Sequence, residues 1–243
     1  MARNVMQVKE KKDRYQVCYI PGDDSGYDVM EAAMIVMQAL NPPIDWLRAD
    51  MGWSMWEKSC KEFPEGDKRR NTVPQETIDK VRDTDATFMA AITSKAGVKG
   101  FKSAILQMRQ IFDLYINFRP AKLMPGLECP LKGDPKIDIK LFRENTEDLY
   151  SAVEWRPLPR EMFDLHPGME RFKDKEEVAV SWRVYSKEGC DRIIRAAFEY
   201  AKANGLKSVV NCNKANVIRA TDGLMKERFL EIAKEYPDIV ARE

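Results

Sequence analysis

Histidine and closely spaced cysteines are scarce in this sequence of 243 residues. His166 is the single histidine, and the five cysteines are widely spaced without a Cys-x-x-Cys pair. Zinc sites and disulfide frameworks need clusters of these residues, so the sequence argues against both. Scattered cysteines in odd number are typical of reduced thiols, and we therefore expect a cytoplasmic protein. A lone loop histidine is more often a surface residue than a catalytic one, and His166 is assigned no role.

Long apolar runs and an excess of either charge are missing as well. No apolar run approaches the roughly 20 residues of a membrane-spanning helix, and the first residues, MARNVMQVKEKKDR, lack the apolar centre of a signal peptide. The 40 basic residues are balanced by 39 acidic ones. This balance gives no reason to expect nucleic acid or a membrane surface as a partner. A chain of this length can bury a sizeable core in one or two domains.

Strand-like and helix-like segments alternate in the first half of the chain. Residues 15–20 and 44–49 are predicted strands, and residues 27–40 between them are a predicted helix. This order indicates a parallel βαβ unit. The helix carries apolar residues at helical spacing, which predicts that this stripe packs against a sheet; they are Val29, Ala33, Val36 and Leu40. The unbroken apolar run at 86–92 predicts a buried strand.

Capping residues and alternation define the remaining elements. Residues 72–75 have capping-box spacing and open a predicted helix. Alternating apolar residues at 177–185 predict a half-buried strand. Ser186 is the predicted cap of a long helix that ends near Gly205. A strand is predicted at 208–212, and Thr221 or Asp222 is the predicted cap of the last helix.

Three arginines lie in the stretch 103–150, near a serine and a tyrosine. Arg109 falls on a predicted helix, and Arg119 and Arg143 each end a predicted strand. Guanidinium groups that converge on one pocket repel each other without an anion, and their planar forks fit carboxylates. A bound di- or tricarboxylate would supply that anion. The alternative is that each arginine pairs with a surface acid, which is the better explanation for any one of them alone.

Several motifs together resemble one family. The motif D-L-Y-x-N-x-R-P occupies 113–120, R-E-N-T-E-D-L-Y occupies 143–150, and N-K-A-N occupies 213–216. I-P-G-D-D-S-G at 20–26 and T-D-G-L at 221–224 add to the match. From about residue 15 to the last one, the chain resembles the β-decarboxylating dehydrogenases. This family contains isocitrate, isopropylmalate, homoisocitrate and tartrate dehydrogenases, and the isocitrate enzymes are the nearest pattern.

The resemblance implies an α/β fold of the isocitrate/isopropylmalate dehydrogenase type. Parallel-containing sheets flanked by helices are expected in two lobes, with the C-terminal part of the family fold missing. Residues 1–123 are expected to form part of the large domain, and residues 124–243 the small domain. A segment at about 155–185 is expected to clasp a second subunit, which implies a homodimer. Completion by a complementing subunit is the other possibility.

The resemblance also implies site residues. Arg109, Arg119 and Arg143 match the carboxylate clamps, and Ser103 lies where isocitrate enzymes bind the distal carboxylate. Tyr150 matches the proton donor. Lys214 matches a lysine that assists proton transfer in the neighbouring subunit's site, and Asn216 matches a residue near the nicotinamide ribose. Taken singly, Tyr150 and Lys214 would read as an ordinary core tyrosine and a solvated lysine.

Three departures from the family pattern bear on substrate and activity. Asp24 stands where the family often has glycine, and the carboxylates of Asp23 and Asp24 would repel a pyrophosphate. The turn at 20–26 is therefore interpreted as structural, and the alternative is that it lines the cofactor cleft. Ile105 replaces the asparagine of isocitrate enzymes and is closer to the isopropylmalate pattern, whereas Lys102 and Ser103 favour isocitrate or a longer homologue. The third departure is that the family's metal-binding aspartates and adenine-binding loops are not found before Glu243.

The resemblance implies NAD or NADP as cofactor and Mg²⁺ or Mn²⁺ as metal, with metal ligands expected after Glu243. The implied reaction oxidises a 2-hydroxy acid and then releases its β-carboxylate as carbon dioxide. A non-catalytic or regulatory subunit that retains a tricarboxylate pocket is an alternative, and so is an inactive truncated fragment. We expect little or no magnesium-dependent isocitrate oxidation by the 243-residue chain alone.

Overall fold

The chain divides into two compact units. A computed structural model describes residues 11–95, 97–133 and 135–243. Of the described residues, 11–113 form the N-terminal unit and 114–243 the C-terminal unit. This division precedes the predicted boundary between residues 123 and 124. The reason is that Ile116–Lys122 forms a strand along Asp138–Glu144, so its backbone hydrogen bonds attach it to the later part of the chain.

A parallel sheet forms the centre of the N-terminal unit. Its three strands have the order β2-β1-β3, and both neighbours of β1 run parallel to it. The predicted parallel βαβ unit is therefore confirmed. In chain order the elements are β1 (Tyr15–Ile20), α1 (Ser25–Leu40), β2 (Ile44–Arg48), α2 (Trp53–Glu62), α3 (Gln75–Asp83), β3 (Ala86–Met89) and α4 (Ala104–Ile111).

The turn after β1 is held by a buried carboxylate. Asp23 is only 4% exposed, and its two oxygens accept hydrogen bonds from backbone N–H groups of Trp53 at 2.7 Å, Ser54 at 3.0 Å and Thr93 at 3.2 Å. Two of these donors are the first residues of α2, where unpaired N–H groups and the helix dipole favour a negative charge. This arrangement agrees with the structural interpretation of the turn.

Burial of the N-terminal unit differs from two predictions. In α1 the side chains of Val29, Val36 and Leu40 are 59%, 57% and 69% exposed, while Met30 is buried. Every residue of β3 is exposed as well. The predictions of a packed helix stripe and a buried strand are therefore wrong for this chain. Periodicity shows that an apolar stripe exists, but what covers it depends on the elements packed nearby.

The predicted capping box at 72–75 is also wrong. Pro74 occupies the N-cap position of α3, and its side chain has no group that could cap. Thr72 is fully buried instead. Its hydroxyl donates to the carbonyl of Lys102 at 2.8 Å and accepts from the Gln107 amide at 2.6 Å. The threonine therefore joins the segment before α3 to the start of α4.

The C-terminal unit combines short strand pairs with two long helices. Strands β4 and β5 are antiparallel, as are β6 and β7, whereas β8 and β9 are parallel. Helices α5 and α6 bury the main core between them, including Phe198, Phe229 and Ile232. The elements are β4 (Ile116–Lys122), β5 (Asp138–Glu144), β6 (Glu154–Trp155), β7 (Val180–Ser181), α5 (Lys187–Ala203), β8 (Ser208–Val210), α6 (Thr221–Ala233) and β9 (Val240–Arg242).

Local predictions in this unit are partly confirmed. Ser186 is the N-cap of α5, and its hydroxyl accepts from the Gly189 N–H at 2.8 Å, as predicted. The predicted strand at 177–185 is reduced to the two residues of β7, because β6, its strand partner among the described residues, is equally short. A further backbone bond joins the Asp148 N–H to the Val184 carbonyl at 2.9 Å. Within the described ranges, no helix combines the length and apolarity needed to cross a membrane.

Candidate functional site

Arg119 and Arg143 share one face of the β4–β5 ribbon. Arg119 lies opposite Leu141, and Arg143 lies opposite Asn117. Residues two apart in a strand point to the same face, so both guanidinium groups stand on the face that also carries Asn117 and Leu141. The two arginines are diagonal neighbours, close enough for long side chains to approach one substrate.

The two guanidinium groups contact neutral partners. Arg119 Nε donates to Asn117 Oδ1 at 3.0 Å. Arg143 Nη2 donates to the Tyr150 hydroxyl, and Arg143 Cζ lies 4.8 Å from the centre of the tyrosine ring. Neither arginine forms an ion pair with any carboxylate of the described residues. Pairing with surface acids therefore does not account for these two arginines.

Tyr150 lies on a short turn whose backbone is constrained at both ends. The 3₁₀ turn Leu149–Ser151 carries it, preceded by Asp148 with φ 62° and followed by Ala152 with φ 54°. Positive φ is unfavourable for residues other than glycine and persists where surrounding contacts enforce it. The acids just before the turn supply such contacts. Glu144 accepts from the backbone N–H groups of Thr146 and Glu147 at 2.8 and 2.6 Å.

Arg183 binds the carboxylate of Asp148 with two nitrogens. Its Nε and Nη2 donate to Oδ1 and Oδ2 at 2.6 and 3.0 Å, and Nη2 also donates to the Tyr185 hydroxyl at 2.6 Å. The hydrogen bond from Arg183 lowers the pKa of Asp148. Burial, reinforced by the Asp148 charge, raises the pKa of Tyr185 to about 12. Asp148 is therefore a carboxylate and Tyr185 a neutral phenol at neutral pH.

Lys214 lies in the loop between β8 and α6, which is held by a buried acid. Asp222 is 5% exposed, and its Oδ2 accepts from the Lys214 backbone N–H at 2.7 Å. Its Oδ1 lies 3.3 Å from Arg183 Nη1. The prediction that Thr221 or Asp222 caps α6 is wrong, because Ala220 occupies the cap position and Asp222 is turned to the loop.

Two adjoining cavities open in the C-terminal unit. One, of about 780 Å³, is lined by Arg119 and Arg143. The other, of about 740 Å³, is lined by Lys214 and the exposed Asn216. Both cavities share Arg183 among their lining residues. The structure therefore brings Arg119, Arg143 and Tyr150 together on one side of this unit, and Lys214 and Asn216 beside the adjoining cavity.

Ser103 and Arg109 belong to the N-terminal unit. Ser103 is the N-cap residue of α4, and its hydroxyl lies 3.0 Å from that of Ser94. Arg109 lies on the last turn of the same helix and is half-buried. Ile105, on the first turn of α4, packs against the core of this unit. The substrate-binding roles of Ser103 and Arg109 stay predictions.

The described residues bear differently on the two expected cofactors. Asn216 is exposed beside the cavity of about 740 Å³, and an amide can pair with ribose hydroxyls. No group of three or more His, Cys, Asp or Glu side chains suited to a metal ion occurs among the residues that the structure describes. Asp222 in particular already accepts from a backbone N–H and faces Arg183. The described side chains therefore do not form a metal site of their own.

Arg183 is the residue that sequence reasoning missed. It lies in the segment at 177–185, whose prediction rested on the apolar residues of the alternation, and no motif singled it out. Its partners lie within motifs, Asp148 in R-E-N-T-E-D-L-Y and Asp222 in T-D-G-L. A lone arginine between apolar residues gives no indication of which distant carboxylates it will bind.

Comparisons with known proteins identify one family. A family model described as isocitrate/isopropylmalate dehydrogenase matches residues 16–243. A 3-isopropylmalate dehydrogenase of Methanothermobacter thermautotrophicus is 33% identical over 229 residues, covering 94% of this chain and 58% of that protein. An isocitrate/homoisocitrate dehydrogenase of Thermus thermophilus is 35% identical over 225 residues, covering 92% of this chain and 58% of that one.

A solved structure shows the same likeness. The isocitrate dehydrogenase of Methylococcus capsulatus superposes with a TM-score of 0.74 at 30% identity, covering 94% of this chain and 59% of that structure. The chain thus spans somewhat more than half the length of each of these three proteins. The α/β architecture expected from the motifs is confirmed, for a part of the fold. The chain belongs to the isocitrate/isopropylmalate dehydrogenase family.

Proposed function

We propose that this protein carries out the NAD(P)-dependent oxidative decarboxylation of a 2-hydroxy di- or tricarboxylate, with isocitrate as substrate and 2-oxoglutarate as product. The observation that carries the proposal is the placement of Arg119, Arg143 and Tyr150 on one side of the C-terminal unit. Two neighbouring guanidinium groups bind an anion that has several carboxylates more tightly than an anion that has a single charge. A tyrosine hydroxyl beside them can give a proton to the substrate that they hold.

The proposed roles follow from the chemistry of each group. Arg119 and Arg143 bind substrate carboxylates. Loss of the β-carboxylate leaves an enolate, and Tyr150 protonates it, with Lys214 assisting proton transfer in the site of a neighbouring subunit. Asn216 binds the nicotinamide ribose, and NAD or NADP accepts the hydride when bound.

The choice of isocitrate rests on residues at the start of α4. Ser103 offers a hydroxyl and Lys102 a positive charge, and both suit a third carboxylate. The branched apolar side chain of Ile105 suits an alkyl group instead, and it keeps isopropylmalate among the possible substrates. Homoisocitrate is one methylene longer than isocitrate, and tartrate lacks the third carboxylate, but both carry a 2-hydroxy acid that the same arginines could bind.

Calorimetric titration of the purified chain tests the proposal. Isocitrate should bind more tightly than isopropylmalate, homoisocitrate or tartrate, and Arg119→Ala should weaken that binding. Arg195→Ala is the matched control, because Arg195 on α5 pairs with Glu235, which follows α6, and neither residue lies on the ribbon. Equal isocitrate binding by Arg119→Ala and the parent would remove the assignment. The chain could also bind isocitrate but show no turnover, either as a homodimer or together with a complementing family subunit. That result would favour a regulatory tricarboxylate-binding role instead.

A further inference from the structure

We propose that Arg183 is a positioning residue that fixes the turn of Tyr150 and the loop of Lys214 relative to each other. Its guanidinium bridges Asp148, next to the turn, and Asp222, which holds the loop. We call Asp148, Arg183 and Asp222 together the Arg183 bridge. The catalytic meaning of the bridge rests on the proposed function, whereas the bridge itself rests on contacts alone.

The first end of the bridge holds an unfavourable backbone conformation. Asp148 has φ 62°, and the residues that follow it form the 3₁₀ turn of Tyr150. Besides the Glu144 contacts, three contacts hold Asp148 itself. Arg183 binds its carboxylate with two nitrogens, the Tyr185 hydroxyl donates to the same carboxylate at 3.3 Å, and the Asp148 N–H donates to the Val184 carbonyl. These three contacts come from consecutive residues of one segment. Release of the Arg183 grip should therefore loosen the turn without unfolding the unit.

The second end of the bridge acts through the backbone of Lys214. Asp222 holds the Lys214 N–H with Oδ2 and faces Arg183 with Oδ1. The Asp222 side chain is only 8% exposed, so its charge is poorly screened by solvent and needs a cation. Without Arg183, the carboxylate would turn toward solvent or another donor and release the loop.

Arginine is the side chain suited to this bridge. Three of its nitrogens are used in different directions, Nε and Nη2 toward Asp148 and Nη1 toward Asp222. Lysine has one nitrogen at the end of a flexible chain and cannot reproduce this planar geometry. Arg183 also lines both cavities, so the bridge stands where the proposed substrate and nicotinamide regions adjoin.

Precise placement is what proton transfer needs from such a bridge. Catalytic groups must be held within about 0.5 Å of their productive positions, and a shift of about 1 Å can cost on the order of a hundredfold in rate. Tyr150 and Lys214 lie on a turn and a loop, which are less rigid than helices or strands. Arg183 reaches both segments through one planar group and supplies the rigidity that they lack. It would thereby hold Tyr150 for the site of its own chain and Lys214 for the site of a neighbouring subunit.

Hydrogen exchange of the full chain tests the bridge directly. In Arg183→Met, amide protection should fall about tenfold or more in both 147–152 and 212–217, as expected for losing a hydrogen bond to a charged group. Arg195→Met is the control, since its guanidinium also binds a carboxylate, that of Glu235, with two nitrogens at 2.6 Å each. It should leave both segments unchanged. Loosening of only one segment, or equal loosening throughout α5, would overturn the proposal.

Two further measurements are needed. One tests whether the bridge needs the geometry of arginine or only its charge, and the other tests whether the bridge matters for the proposed reaction. Arg183→Lys keeps the charge, so full protection of both segments in this variant would overturn the planar-bridge geometry. In an assembly that turns over isocitrate, Arg183→Met should lower kcat about tenfold with less than about a twofold change in KM. An unchanged kcat would overturn positioning. Absence of turnover by every assembly would contradict the proposed function. Hydrogen exchange would still show whether the Arg183 bridge holds the two segments.

Discussion

Arg143 donates a hydrogen bond to the Tyr150 hydroxyl and lies 4.8 Å from the centre of its ring. Arg143 thus contacts the proposed proton donor. It also lies on the same face of the β4–β5 ribbon as Arg119, which we propose binds the substrate. A substrate carboxylate bound by these arginines would therefore lie near the tyrosine hydroxyl. Substrate binding and proton delivery would then depend on the same guanidinium.

Removal of one clamp arginine should weaken isocitrate binding by a measurable amount. Arg119→Ala should cost about 1.5–3 kcal/mol, the range of a hydrogen bond to a charged group. Calorimetry on the chain without cofactor measures this difference. Arg195→Ala, which removes a surface arginine paired with Glu235, should bind isocitrate as the parent does. If Arg119→Ala and Arg195→Ala lose the same affinity for isocitrate, the binding depends on the net positive charge of the chain and not on a site at the ribbon.

Asp23 should contribute more to stability than its neighbour Asp24. Replacement by alanine leaves the backbone N–H groups of Trp53, Ser54 and Thr93 without their acceptor. Asp23→Ala should therefore lower the free energy of unfolding by at least about 2 kcal/mol. Asp24→Asn is the control, and it should change stability by less than about 0.5 kcal/mol. Asparagine tolerates the positive φ of 47° at this position and can still accept from the Thr93 hydroxyl.

Urea unfolding followed by tryptophan fluorescence measures both variants. If both variants lose nearly the same free energy of unfolding, Asp23 is not the buried carboxylate that holds the start of α2. If a variant changes the slope of the unfolding free energy against urea concentration, its unfolded or native ensemble has changed. The two variants would then be compared by hydrogen exchange of α2.

Local patterns predicted much of the fold. Strand β1 has the predicted bounds, and α5 begins after Ser186 as its capping chemistry indicates. The contacts that organise the site lay beyond such patterns. The Arg183 bridge joins residues that are far apart in the sequence, and only the folded chain determines which carboxylates meet that guanidinium. The clamp residues Arg119 and Arg143 came from motifs, whereas their shared strand face depends on the register of β4 and β5.

Burial was the weakest part of the prediction, and α1 shows why. A helix with apolar residues at regular spacing usually packs them against a neighbouring surface, and the parallel sheet was the expected one. In the structure, Met30 is buried while Val36 is 57% exposed. The face that a helix turns to a sheet depends on its axial rotation, which the spacing of apolar residues does not give. At the start of α1 the packing is tight, since a Cβ added at Gly26 would clash with the Ala91 carbonyl oxygen.

The five cysteines should differ sharply in reactivity. Cys212 is exposed, whereas Cys18 and Cys190 are 0% and 2% exposed. Burial raises the pKa of the Cys18 thiol and, together with nearby Glu147, raises that of Cys190 to about 11. The thiolate is the reactive form, so these two should resist a disulfide reagent at neutral pH while Cys212 reacts quickly. Cys212→Ser should remove the fast phase, and rapid labelling of Cys190 in the native chain would contradict the core packing.

The chain should form at least a dimer in solution. Trp182 is 42% exposed and packs edge-on against Trp155, with ring centres 5.0 Å apart, in the segment that the family resemblance assigns to an intersubunit clasp. Light scattering at tens of micromolar should give a mass above that of the monomer, and Trp182→Glu should reduce it. Leu230→Glu, at a site 45% exposed on α6, is the control and should leave the mass unchanged. A monomeric parent would rule out the clasp.

Stability should depend on pH through the pair of Asp148 and Arg183. The hydrogen bond from Arg183 lowers the pKa of Asp148 in the folded chain, so the folded state favours the carboxylate. The stabilisation is complete above the ordinary aspartate pKa of about 3.9 and is lost as the pH falls through the lowered value, because both states then bind the proton. Asp148→Asn should therefore cost about 1 kcal/mol at neutral pH, the scale of a partly exposed pair, and progressively less below about pH 4. Urea unfolding of parent and variant across this range measures the difference, and a gap that widens on acidification would contradict the pairing.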